Sequence, residues 1–237
     1  MNKHFRSIVI LWAACFAFLL AVTGCSREPQ ERQAFISFLQ KEVIPRNSAL
    51  PLPIRTVRKK FGVYAPQYDI IVNYNKATIE KIVKPLDKLQ LEYADAMKPE
   101  SNVKERRDAT LKYRQALLPI AEIHDKELAI AESQIAALSQ PEDLQSAYLR
   151  AVEKHVRIPA KVLKTMIPST IEMLDKNLEL LDFITASKGK VEIRDGMIQV
   201  KDQSTLAKLN AMQGDISKMA HAIQIQHNEL TRQSFGK

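Results

Sequence analysis

Between Val103 and Leu138, the residues Leu117, Ala121, His124, Leu128, Ala131, Ile135 and Leu138 recur in alternating steps of four and three. A helix turns once in about 3.6 residues, so this spacing holds one stripe against a partner helix. A second stripe runs through Leu206, Leu209, Gln213, Ile216, Ala220, Ile223, His227 and Leu230. A third turns Leu163, Ile167, Leu174, Leu181 and Ile184 inward. Long stripes of this kind leave a chain little choice but to pack helix on helix. Composition agrees, because 6 glycines in 237 residues are too few for the turns of an all-β fold. The expected fold is mostly α: an elongated multi-helix bundle with kinked helices and one small β-hairpin near residues 191–200.

Prolines punctuate the pattern. A helix is predicted over Glu31–Val43, with Ala34, Phe35, Phe38, Leu39 and Val43 at helical spacing. Pro45, Pro51 and Pro53 make the next stretch extended, since each lacks an N–H and restricts its predecessor. A short helical turn near Val57–Phe61 should end at Gly62. The following helix carries Tyr68, Ile71, Val72, Ile79 and Ile82 and is interrupted or kinked by Pro85. Pro141 should open a helix running to about Arg157, and Pro159 the next, ending near Ser187–Gly189. Pro119 and Pro168 are expected to kink their helices. Val191–Arg194, Asp195-Gly196 and Met197–Val200 form a hairpin signal, because Asp-Gly supplies the positive φ angles of a two-residue type I′ turn. That turn pairs Ile193 with Ile198 and Val191 with Val200, on a face that should dock on the bundle.

The N-terminus carries the most specific signal. Lys3 and Arg6 precede an apolar run from Ile8 to Leu20. Its length suits the roughly 7–15 residues of a secretory h-region and falls short of the about 20 that a spanning helix needs. Val22-Thr23-Gly24-Cys25 follows directly and resembles the bacterial lipobox. Small residues admit a peptidase beside the scissile bond, and only the Cys25 thiol can take a diacylglyceryl thioether. The expected division is a signal peptide over 1–24, a lipidated tether over 25–30 and a single helical domain over 31–237. Cys15 would leave with the signal, so the exported chain would hold one cysteine, capped by lipid. Serine at position 26, where aspartate retains enterobacterial lipoproteins at the inner membrane, points Ser26-bearing chains to the outer membrane.

Processing removes Lys3 and Arg6 and no acid, so the net charge falls from +8 to +6. Export sets nucleic acid aside as the basic chain's partner. The remaining counterparts are the membrane, through the anchor, and an envelope protein or anionic polymer. The densest basic runs are Arg55, Arg58, Lys59, Lys60 and Lys104, Arg106, Arg107. Runs like these are ordinarily solvated helix faces.

Catalytic and metal signatures are missing from the sequence. Residues three before His124, His155, His221 and His227 are Ala121, Val152, Lys218 and Gln224, so no Glu-x-x-His pair exists. There is no His-Glu-x-x-His zinc motif and no Gly-x-Ser-x-Gly elbow. His124 with Asp125 and Glu127 could hold a metal weakly, but a histidine on an apolar stripe is more often a core residue. Gly189-Lys190 reads as a helix C-cap, and Tyr64, Tyr68 and Tyr74 as helical core in preference to a groove lining. No catalytic residue, metal or cofactor is expected beyond the acyl chains on Cys25.

Several stretches resemble the YiaF-like lipoproteins of enterobacteria. They are the lipobox, Arg32-Gln33-Ala34-Phe35-Ile36-Ser37-Phe38-Leu39-Gln40, Phe61-Gly62, Tyr68, Pro159-Ala160, Ile167-Pro168, Asp182-Phe183-Ile184 and Gly196-Met197-Ile198-Gln199. The resemblance implies an envelope lipoprotein and no particular reaction. Two functional readings stay open. One is a non-enzymatic interaction or envelope-maintenance module; the other is a ligand-binding or hydrolytic lipoprotein with a dispersed site. Low glycine, absent motifs and unbroken stripes favour the first.

Overall fold

The computed structural model describes residues 27–47, 49–98, 101–187, 189–194 and 197–235. The chain is a mostly α multi-helix bundle with one two-stranded hairpin. In order, the elements are α1 (Glu28–Phe38), α2 (Arg55–Lys59), a 3₁₀ turn (Gly62–Tyr64), α3 (Ala65–Thr78), α4 (Lys84–Ala96), α5 (Val103–Ala136), α6 (Glu142–Val152), α7 (Ile158–Ala186), β1 (Val191–Arg194), β2 (Met197–Val200) and α8 (Gln203–Phe235).

Helix α1 starts at Glu28, three residues before the expected start, so residues 28–30 of the expected tether are helical. Pro29 sits in the first turn, where its missing N–H has no partner to lose, and Glu28 and Glu31 meet the positive end of the helix dipole.

Three π-helical turns occur among the described residues: Leu39–Val43 after α1, Ile79–Val83 between α3 and α4, and Glu153–Arg157 between α6 and α7. Each ends two residues before a proline: Pro45, Pro85 and Pro159. A proline ring collides with the carbonyl four residues back in an α-helix. Widening the turn moves that carbonyl aside, so the Ile44 N–H bonds the Leu39 carbonyl at 2.8 Å, one residue further back than an α-helix would place it. The predicted interruptions at Pro85 and Pro159 are thus wide turns within continuous helical runs. Pro119 and Pro168 lie inside α5 and α7.

The described chain forms two compact units, one of residues up to Val72 with Ala137–Glu153, the other of Asn73–Ala136 with Lys154 onward. In the first, α1 packs on the 3₁₀ turn and on α6. Phe35, Phe38, Leu39, Phe61, Tyr68, Leu144 and Tyr148 are buried there. Ring centroids of Phe38 lie 5.0 Å from Phe61 and 5.1 Å from Tyr68, the latter edge-on, a favoured aromatic geometry.

In the second unit α4 packs on α5, α5 on α7 and α7 on α8. Ile82, Leu117, Ile120, Ile167 and Leu174 form its central cluster. Arg107 pairs with Asp182 at 2.5 Å, and Arg114 with Asp175. Seven residues separate the members on each helix, which fixes α5 and α7 antiparallel in one register. The α5 stripe behaves as predicted, with Leu117, His124, Ala131 and Ile135 buried. On α8 the stripe holds at Leu209, Ile216 and Ile223 and needs correcting at Leu206, Gln213 and Ala220. Thr205, Leu209, Met212, Ile216, Met219 and Ile223 are the covered positions, while Leu206, Gln213 and Ala220 face solvent. The inward row is set by Leu209 and two methionines, whose flexible thioethers fill space that the expected stripe assigned to Gln213 and Ala220. His227 and Leu230, the end of that stripe, have side chains outside the described set.

The hairpin has the predicted register, Val191 opposite Val200 and Ile193 opposite Ile198. Val191 is buried against Leu180, Ile184 and Leu209, with Ile198 and Val200 half-buried beside them. Asp195 and Gly196 lie outside the described residues. Gly189, at φ 75°, ends the run after α7 in the left-handed conformation that a C-cap glycine supplies.

Candidate functional site

The predicted processing and lipidation residues Val22, Thr23, Gly24, Cys25 and Ser26 lie outside the described residues. The described chain resumes two residues after Cys25, at Arg27, and the site is built from there.

Glu28 and Glu31 project from the first turn of α1. The Tyr64 hydroxyl donates to Glu28, and burial together with that hydrogen bond pushes the phenol up to about 12. Glu31 lies over Gly62, and its carboxylate accepts from the Val63 N–H at 3.4 Å. Gly62 has φ 50°, and a Cβ there would collide with the Glu31 carboxylate. The positive φ is what favours glycine, since the Glu31 carboxylate ends a flexible side chain that can swing aside. Glutamate and glycine thus clamp the end of α2 to α1, and a groove of 380 Å³ opens between Lys59 and Lys60 on one side and Arg27, Gln30, Glu31 and Ala34 on the other.

The two basic runs separate here. In the second run, Arg107 is held by Asp182, and Arg106 donates to the carbonyls of Ser101 and Lys98 at 3.1 and 2.9 Å. Those cations tie helix ends and helix pairs together. In the first run, Arg58 grips Asp69 through both nitrogens, which raises its already high pKa, chiefly through that hydrogen bond. Arg55, Lys59 and Lys60 are exposed and, with Arg27, make no ion pair among the described residues. Three cations therefore line the groove against one carboxylate, and that carboxylate already accepts a backbone N–H.

The remaining candidates resolve into structure. His124 is buried on the α5 stripe, with Nδ1 3.3 Å from Asp125 and Nε2 without a partner; burial is the main cause holding its pKa below the ordinary value. Glu127 pairs with Lys81 at 2.5 Å and so does not converge on His124. Among the described residues, no three His, Cys, Asp or Glu side chains gather as a metal site. Tyr64, Tyr68 and Tyr74 are all buried, as the core reading has it. A smaller cavity of 120 Å³ between α4 and α5 is lined by Leu89, Tyr93, Ala109 and Tyr113, and its two charged walls, Lys112 and Glu92, pair with each other at 2.6 Å.

Sequence reading singled out Lys59 and Lys60 but missed Arg27, Gln30, Glu31 and Ala34. A usable signal was present: no Asp or Glu occurs from Ile44 to Tyr68, while Arg46, Arg55, Arg58, Lys59 and Lys60 do. A stretch so one-sided cannot neutralise itself locally.

Fold and site together define a helical bundle protein with a cationic surface groove at its N-terminal end and no catalytic constellation among the described residues. The chain belongs to the family described as Protein of unknown function (DUF3053), whose model matches residues 13–231. It is 24% identical over 205 residues to the uncharacterized protein YiaF of Escherichia coli (strain K12), covering 85% of this chain and 86% of that one. The YiaF protein of Shigella flexneri matches to the same extent. No solved structure matches. Among the described residues, no helix is long and apolar enough to cross a membrane.

Proposed function

We propose that this protein is a bacterial envelope lipoprotein, lipidated at Cys25, that faces the periplasm and works there as a non-enzymatic interaction or maintenance module. The carrying observation is Val22-Thr23-Gly24-Cys25 at the end of a short apolar run. Two further features support the reading. The folded helix starts at Glu28, close behind the anchor. The groove is lined by three cations, one amide and the Glu31 carboxylate, with no nucleophile–base pair that would turn over a substrate. A thioether diacylglycerol and an N-acyl chain give stable residence, at about 0.8 kcal/mol per buried CH₂. Ser26 assigns that residence to the outer membrane.

The test is palmitate labelling with membrane fractionation. Cys25→Ala is expected to abolish labelling, and Ser26→Asp to move the protein to the inner-membrane fraction. Labelling that survives Cys25→Ala would overturn the anchor; an unmoved Ser26→Asp variant would overturn the sorting alone.

A further inference from the structure

We propose that the groove and the Leu52–Val63 segment form a docking surface for anionic phospholipid headgroups of the membrane that holds the anchor. The inference rests on the lipid-anchor reading and names the partner of the groove.

Leu52, Ile54 and Val63 are 75, 69 and 71% exposed. Only one other large apolar side chain among the described residues is comparably bare, Leu91 at 73%, and it stands apart on α4. The three in the segment flank Arg55, Lys59 and Lys60, none of which forms an ion pair among the described residues. Exposed branched side chains beside lysine and arginine are the composition of chain that lies in a bilayer interface, where apolar burial and attraction to anionic lipid act together.

Reach selects the bilayer over other partners. One residue, Ser26, separates Cys25 from Arg27, so the two steps of roughly 3.3–3.6 Å keep this end of the groove wall within about 7 Å of the anchoring cysteine. That lies within the Debye length of about 8 Å at physiological salt, so headgroup charge is only partly screened there. The backbone of the segment is fixed for the purpose. The Tyr68 hydroxyl donates to the Pro51 carbonyl at 2.8 Å before it, and Glu31 holds the Val63 N–H after it.

The experiment uses the full lipoprotein, purified and reconstituted into vesicles of phosphatidylcholine, with or without phosphatidylglycerol. Ile54→Cys carries an environment-sensitive fluorophore, since lipid caps Cys25 and the signal takes Cys15 away. The expected result is a blue-shifted emission with phosphatidylglycerol, quenched by brominated acyl chains and absent on phosphatidylcholine alone. Lys59→Glu with Lys60→Glu should abolish the shift while the protein stays anchored; both side chains are exposed, so the fold is untouched.

An anchored protein whose label stays aqueous on phosphatidylglycerol would overturn the docking surface and leave the anchor standing. A shift without vesicles, accompanied by crosslinks between two copies at position 54, would overturn it in favour of self-association. If mass measurement finds no lipid on Cys25, the anchor reading fails on its own. Flotation of that unlipidated chain with phosphatidylglycerol vesicles then supports the surface, and its absence overturns it.

Discussion

Phe35, Phe38, Phe61, Tyr64 and Tyr68 bring rings together at the centre of the first unit, whereas the central cluster of the second, Ile82, Leu117, Ile120, Ile167 and Leu174, is aliphatic, with Tyr93 and Tyr113 packed against it. Aliphatic stripes suit long, regular helices, because every turn repeats the same contact. Rings do something different. A tyrosine packs its body and still reaches out with a directional hydroxyl. Tyr68 bonds Pro51 in this way, and Tyr148 bonds the Gln67 carbonyl at 2.9 Å. The first unit can therefore hold a proline-broken, non-repeating stretch of chain in one conformation, and that stretch carries the bare cations. Regularity supplies the scaffold; the irregular unit presents the surface.

The contrast is broken most directly by truncating each core. Phe35 is fully buried, and Phe35→Ala should cost about 3–5 kcal/mol in denaturant unfolding followed by circular dichroism. Leu174→Ala, at an equally buried site, should cost about 2–5 kcal/mol. A loss under about 1 kcal/mol for Phe35→Ala would show that the rings are dispensable to their unit.

A smaller effect sharpens the role of the hydroxyl. Tyr68→Phe keeps the ring and removes only the donor to Pro51, so about 0.5–1.5 kcal/mol should be lost. Proteolysis at residues 49–54 should rise in the same variant. An unchanged cleavage rate would mean that this bond does not hold the segment.

The smallest effect belongs to the second unit and to pH. Burial, the leading cause, holds the His124 pKa below its ordinary 6.5, against opposing help from Asp125 and with Lys164 adding to the depression. The unfolded chain therefore binds more protons than the folded one below pH 6.5. Stability should be complete above that pH and decline as pH falls toward the folded value. His124→Leu should flatten this part of a thermal-midpoint titration. A slope unchanged in that variant would assign the dependence elsewhere.

The α5 stripe, the α7 stripe and the hairpin register were legible because each repeats a local rule many times, or rests on one turn with a single solution. On the α8 stripe Leu209, Ile216 and Ile223 are where the sequence puts them, while Leu206, Gln213 and Ala220 each stand one position past the covered residue. Leu206 is as apolar as Leu209, and only packing tells them apart. The groove was hidden for a different reason. It depends on Glu31 meeting Gly62 across a sequence gap of 31 residues, and on which cations lose their partners to other helices. Arg58 and Lys59 are neighbours in sequence, yet Asp69 takes one and leaves the other.

The wide turns before Pro45, Pro85 and Pro159 bear on how such a chain can change over time. A π-turn seats one residue more than the α-turn it interrupts, so each of the three holds an extra residue without turning the helix beyond it onto a new face. Deleting a residue within Ile79–Val83 should let that turn close to an α-turn and leave Leu86 and Leu89 on the face they share with α5, whereas the same deletion in a regular α-helical stretch would rotate everything beyond it by about 100°. Removing Pro85 alone would leave the extra residue without its reason. At each of the three places the extra residue and the proline are matched, because an α-turn there would press the ring toward the carbonyl four residues back.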